Sequence, residues 1–301
     1  MSILEVECDE ILNEAIMSNT PIILVEGAAD IPIYEQLSES NDLKSEVYAV
    51  ENIDGFAAGC RGVIDCLNEI REHSDGTSIE NHILGIIDRD ARYYRGEIPL
   101  DKALLVLEYY SMESHFITEE ATALIVRTVT RVTNTLLEKG TRELIHNKIQ
   151  KSLLELFTLS LEALKNAVQE DYESLFGYGT NIQQIKNQNL HVEVMEKERE
   201  LDEFATSINI EKSWDNLLKV CKGKWVFFEY CQLLQKEVAS LANRCKESQI
   251  KQCQFCFKES FDNCLYKIQS NFNETNIRQL LFSNLHTSNL NYVVDRVSAL
   301  G

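Results

Sequence analysis

The sequence predicts an α/β fold in which a parallel-sheet domain is followed by a largely α-helical region, and three observations lead there. Short aliphatic runs alternate with segments of helical composition over the first hundred residues. All three prolines and seven of the twelve glycines fall in that same stretch. From about residue 118 the chain changes to long, proline-free amphipathic stretches. Apolar runs spaced by helices are the pattern of parallel strands joined by crossovers, whereas long amphipathic stretches without breakers form helices.

The first run, residues 22–25 (IILV), has no two-residue alternation and reads as a strand covered on both faces. Glu26 and Gly27 end it in a turn. Asp30 and Pro32 then mark a helix start, since aspartate accepts a bond from an orphan N–H and proline is tolerated in the first turn. Further strands are expected at 47–50 (VYAV), 82–87 (HILGII) and 103–108 (ALLVLE), with helices over 30–40 and 56–73 between the first three. In IDGFAAGCRG the expected turn residue is Gly55. Beyond 118, EEATALIVRTVTRVTNTLLEKG and ELIHNKIQKSLLELFTLSLEALKNAV read as helices, and FGYGTNIQQIKNQN, residues 176–189, is the best internal break. The expected division is 1–117 and 118–301.

A chain of 301 residues and 34.5 kDa can bury a full core and is long enough for two modest domains. Its formal net charge of −19 is unevenly spread. Residues 212–301 hold 12 Lys and Arg against 8 Asp and Glu, a net +4, which leaves −23 on residues 1–211. A field of that sign repels nucleic acid, so a phosphate partner must be met by a local basic surface, by bound divalent cations or by another subunit. No apolar run approaches the roughly 18 residues that cross a bilayer, and the opening MSILEVECDEIL is acidic where a signal peptide would be basic. A cytoplasmic protein without membrane partners is expected.

Nine cysteines, an odd number at irregular spacing, point to reduced thiols and not to a disulfide framework. Cys253 and Cys256, with Cys245 and Cys264 outside them, have the look of a zinc set. No proline or glycine interrupts residues 245–264, however, and on one continuous helix the outer pair would lie about 28 Å apart at 1.5 Å per residue. On that reading the cysteines are small core residues and the chain holds no stoichiometric zinc.

The third strand ends in ILGIIDRDARYYR, which delivers Asp88 and Asp90 to the same sheet edge as Glu26, because parallel strands share their carboxyl ends. Buried like charges raise one another's pKa, so three converging carboxylates are best explained by a divalent cation. Mg²⁺ (or Mn²⁺) suits them, because it accepts a few carboxylates and keeps waters that a phosphate can displace. No Ser-His-Asp or H-E-x-x-H pattern supports nucleophilic or zinc-protease chemistry. A haloacid-dehalogenase-like phosphatase would want Thr or Val where Arg92 stands, and a glycosyltransferase would leave Val25-Glu26-Gly27 unexplained.

LVEGAAD followed 62 positions later by IIDRD, each ending its own strand, resembles the Toprim (Rossmann-like) catalytic domain of topoisomerases, primases and OLD-type nucleases. More narrowly the chain is similar to the DUF4435 branch, on LLVLEYYSMESHF and on VCKGKWVFFEY, which matches that branch's GK element. The resemblance implies a nuclease in which Glu26 handles metal and acts as general acid or base, and Asp88 and Asp90 bind metal. It further implies that Asp30 serves a second metal, that Glu113 is the family's later glutamate, and that Lys224 neutralises charge on the phosphate. It implies an ABC-type ATPase partner that holds the chain inactive, release on sensing a phage, a homodimer on activation, and an RNA substrate, tRNA ahead of DNA. The competing reading is a catalytically silent Toprim scaffold that binds and regulates the ATPase.

Overall fold

The computed structural model describes residues 7–270, 272–284 and 288–300. It divides into two compact units, Met1–Glu108 with Ser288–Gly301, and Tyr109–Thr287.

In the first unit α1 (Cys8–Ser18) leads into β1 (Ile22–Val25), α2 (Ile31–Ser40), β2 (Glu46–Ala49), α3 (Cys60–Glu72), β3 (Ile83–Ile87), α4 (Ala91–Tyr94) and β4 (Leu104–Val106). The four strands are all parallel in the order β2-β1-β3-β4, with Val25 in register with Ala49 and Ile86, and Ile87 with Val106. Every residue of β1 and β3 is buried, as the uninterrupted aliphatic runs require of strands covered on both faces. One face carries Ile22, Leu24, Ile83 and Ile87 against Ile11, Leu12 and Ala15 of α1 and Val63, Leu67 and Ile70 of α3. The unit is completed by α15 (Asn291–Ser298), from which Arg296 donates to the carbonyls of Glu80, at 3.4 Å, and Lys102, at 2.5 Å. The Tyr292 hydroxyl accepts the Glu108 N–H at 2.9 Å.

The second unit is helical: α5 (Glu119–Val129), α6 (Lys139–Leu153), α7 (Leu156–Val168), α8 (Ile182–Asn187), α9 (Leu190–Glu196), α10 (Glu198–Ser207), α11 (Trp214–Val220), α12 (Gly223–Lys246), α13 (Gln254–Phe257) and α14 (Glu274–Phe282). Among the described residues no helix is long and apolar enough to cross a membrane.

Three expectations need correction. The division falls between Glu108 and Tyr109, because Tyr110 N–H donates to Leu218 O at 2.8 Å and the buried turn Met112–Phe116 packs on α12. The chain also returns to the first unit at Ser288. The stretch 119–140 is not one helix. It stops at Val129, where Arg131 N–H donates to Leu265 O (3.0 Å) and Gln269 N–H to Val129 O (2.8 Å), so backbone pairing displaces the helical bonds of a β-branched run.

The third correction concerns 245–264, where no continuous helix forms. Ser248 takes a left-handed conformation (φ 59°), with Gln249 N–H bonded to Arg244 O at 2.9 Å, a helix-ending motif without its usual glycine. The same device recurs eleven residues on: Glu259 is left-handed (φ 57°), and Ser260 N–H bonds Phe255 O at 2.8 Å. Each reversal lies three residues after one cysteine and five before the next, so Cys245, Cys253, Cys256 and Cys264 fold back onto one another.

Candidate active site

At the carboxyl edge of the sheet, β1 delivers Glu26, β2 leads to Glu51, and β3 delivers Asp88 and then Asp90. The chain after Glu26 turns through Gly27, whose carbonyl accepts Asp30 N–H at 3.0 Å. Gly59, at φ 104°, a value that disfavours any residue with a Cβ, donates its N–H to Glu26 O at 2.8 Å and starts α3. The strand end is thereby fixed from both sides.

Glu26 is the central acid. Its Oε1 accepts the Asp88 N–H at 2.8 Å, which joins the two strand ends. Burial raises its pKa; the Asp88 N–H opposes that rise, the Asp90 and Asp30 charges add to it, and Arg92 offsets part of it. Asp30 stands at the N-cap of α2 without its side chain capping the helix, so the capping expected from the sequence is not the role of that carboxylate. Asp90 does cap: it accepts Arg92 N–H at 2.8 Å and pairs with the Arg92 guanidinium at 3.2 Å. The Tyr34 hydroxyl is buried, and burial with the charges of Asp88 and Asp30 pushes its pKa upward.

Glu26, Asp30, Asp88 and Asp90 thus come to one edge. Their donors are all carboxylate oxygens, the set that Mg²⁺ and Mn²⁺ prefer, and beyond the effect of burial on Glu26, the share that Asp90 and Asp30 add is repulsion that a divalent cation would relieve. The acids do not close into a tight cage. Among the described residues, the ligating atoms that gather within 4.8 Å of one another belong to the four cysteines.

Glu113 and Lys224 belong to the second unit. There the YYSMES and KGK segments, more than a hundred residues apart in sequence, meet. A Cβ on Gly223 would lie 1.8 Å from Ser111 Oγ and 3.0 Å from Glu113 Oε2, so glycine is required by close approach. Glu113 accepts from Ser111 Oγ at 2.6 Å and pairs with Arg278 at 3.2 Å. Lys224 is exposed at the start of α12 and, with Lys222, Trp225 and Arg278, lines a cavity of about 350 Å³. Burial and the nearby Lys224 charge lower the pKa of Lys222, which donates to Tyr178 O at 2.6 Å.

Sequence reasoning missed Glu51, whose Oε1 accepts Ala28 N–H at 2.7 Å and holds the turn after Glu26. It also missed Arg89 and Tyr93. The Arg89 guanidinium stacks 3.5 Å from the ring centroid of the half-exposed Tyr93, and its buried Nε has no hydrogen-bond partner. The R-D-A-R-Y-Y-R run was the available signal, since interleaved cations and aromatics beside an acidic edge suit a polyanion with stacked bases. Neither the models of known families nor the curated proteins give a match to this chain.

Proposed function

We propose that the chain is a divalent-metal-dependent nuclease of the Toprim type, hydrolysing phosphodiester bonds at the carboxyl edge of the first unit's sheet. The supporting observation is Glu26: a half-buried carboxylate following an interior strand, held by the Asp88 N–H and raised in pKa by burial and by Asp90 and Asp30. A carboxylate poised in this way exchanges a proton nearer to neutral pH than an exposed one does, as general acid–base catalysis needs. Asp88, with Asp30 and Asp90, would hold Mg²⁺ or Mn²⁺. When bound, the metal supplies charge stabilisation to the phosphate and lowers the pKa of a coordinated water. Glu26 would take or return the proton of the attacking or departing oxygen, while Arg89 and Tyr93 present a cationic, aromatic surface to the substrate.

The proposal extends the sequence resemblance to the AriB effectors of the PARIS phage-defence systems. In that setting the substrate is RNA, tRNA before DNA, an ABC-type ATPase holds the chain silent, and the released chain acts as a homodimer. Lys224 and Glu113 are assigned to the same activity on resemblance. A second reading, the silent scaffold that regulates an ATPase, has one observation in its favour: the Asp90 carboxylate is committed to Arg92 and to the start of α4.

The test is cleavage of labelled tRNA and DNA by the released full chain with Mg²⁺ or Mn²⁺, with EDTA, and after Glu26→Gln. Cleavage that needs metal and Glu26 supports the nuclease. Full activity in Glu26→Gln removes the Toprim mechanism. A chain that binds the ATPase but cuts nothing under any of these conditions leaves the scaffold.

A further inference from the structure

We infer that Cys245, Cys253, Cys256 and Cys264 bind one structural zinc ion within the second unit. The four sulfurs lie within 4.8 Å of one another, and Cys253 Sγ and Cys264 Sγ are 4.0 Å apart. A tetrahedral site with zinc–sulfur bonds of about 2.3 Å sets its sulfurs roughly 3.8 Å apart, so a small inward shift completes it. All four cysteines are at most 3% exposed, which keeps water and competing oxygen ligands away.

Backbone donors are turned toward two of the four sulfurs. Cys253 N–H donates to Cys245 Sγ at 3.3 Å, and the peptide N–H groups of Leu265, Cys256 and Phe255 are directed at the Cys253 sulfur. Such donors would compensate a thiolate held on a metal. A zinc centre with four thiolates carries a net double negative charge. Residues 244–267 supply the opposite sign, with five Lys and Arg against three Asp and Glu. Another close pair of cysteines gives a contrast. Cys8 and Cys66 meet only as a pair, 3.7 Å apart, in the apolar core between α1 and α3, and no third or fourth sulfur joins them.

The local fold explains what the ion would do. Between Glu247 and Gln269 the only regular structure is the four-residue α13 and one short 3₁₀ turn, yet Cys253, Cys264 and Tyr266 are completely or almost completely buried there. A segment with so little regular structure orders itself when a cross-link or metal closes it. This one closes on the exit of α5: Leu265 and Gln269 pair with Arg131 and Val129, and the Tyr266 hydroxyl, with one proton to donate, lies between Leu136 O at 2.9 Å and Lys251 O at 3.1 Å. Zinc joins both eight-residue steps, Cys245 to Cys253 and Cys256 to Cys264, at one point. Binding displaces the thiol protons to solvent; no oxidation is involved.

The experiment is elemental analysis of the full chain purified without chelator, with cobalt replacement as a second measurement. We expect about one zinc per chain, retained in Cys231→Ser and lost in the double variant Cys253→Ser, Cys256→Ser. Should the double variant fail to fold, the wild-type chain loaded with Co²⁺ decides the matter. Intense d–d bands in the red with a thiolate charge-transfer band indicate four sulfur ligands in a tetrahedron. A folded, metal-free wild-type chain, a weak octahedral cobalt spectrum, or iron in place of zinc would each overturn the inference.

Discussion

The acidic edge of the first unit and the cysteine segment of the second gather their side chains by different means. At the acidic edge the sheet does the gathering: once three strands are parallel and in register, whatever follows them emerges on one side. In the cysteine segment the gathering is done by two residues, Ser248 and Glu259, held in a conformation that their side chains disfavour. A site placed by long-range backbone order should tolerate changes to its side chains. A site placed by local reversals should instead fold or fail with them.

The largest expected effect separates the two by activity. Glu26→Gln should lower the proposed cleavage by at least about 100-fold, the usual scale for loss of a general acid or base, while circular dichroism stays unchanged. Cys253→Ser should do the reverse, lowering the melting temperature of the second unit before it touches the chemistry. If Glu26→Gln unfolds the chain, or Cys253→Ser leaves its stability unaltered, the contrast fails.

The units should also answer pH in opposite directions. His115, buried in the second unit, has its pKa lowered to about 4 by burial, although the Ser111 and Met112 backbone partially restores it. The unfolded chain binds that proton near pH 6.5 and the folded one does not, so stability is lost as pH falls between about 6.5 and 4. The loss is on the order of 3 kcal/mol at 1.4 kcal/mol per pH unit. Glu26 runs the other way. Its raised pKa favours the folded state while the group is protonated, and that advantage disappears as pH rises through the folded-state value. Urea titrations of wild type, His115→Gln and Glu26→Gln at pH 4.5 and 7.5 check both signs: His115→Gln should reduce the acid loss, and Glu26→Gln should stabilise only at the higher pH.

Gly223→Ala should cost about 1–3 kcal/mol, the range for overpacking, and Ser111→Ala should recover much of it by removing the oxygen that a new Cβ would strike. A denaturation series on the two single variants and the double would show no such recovery if the GK segment does not meet Ser111. The smallest effect is a gain. Ser248→Gly should stabilise by roughly 0.5–1 kcal/mol, because glycine adopts the left-handed conformation without strain.

These examples also show how much of the molecule was legible in its residues. Runs such as IILV and ILGII announce strands because every position is apolar, and the acid after each run then inherits its place from the sheet. Glu26, Asp88 and Asp90 could be read on that basis. The fold at 245–264 could not, because a helix ended by Ser248 or Glu259 lacks the glycine that normally marks the stop, and serine and glutamate disfavour positive φ, so neither residue announces a reversal. The stop at Val129 was hidden for another reason: its cause is pairing with residues 265–269, far along the chain. Arg89 and Tyr93 are harder to read, because the stacking that marks them depends on a contact that residue order alone does not reveal.

The return of α15 to the first unit bears on the order of synthesis. A ribosome makes the chain from one end, so β1 to β4 leave the exit tunnel long before Tyr292 can accept the Glu108 N–H or Arg296 can bridge the carbonyls of Glu80 and Lys102. The whole helical unit is translated in the interval. On the proposed function, the carboxyl edge of the sheet gains its Tyr292 contact only when translation has passed that residue, and a nascent chain that stalls earlier, or a mature one clipped by a protease ahead of α15, would display the acids on an incomplete support.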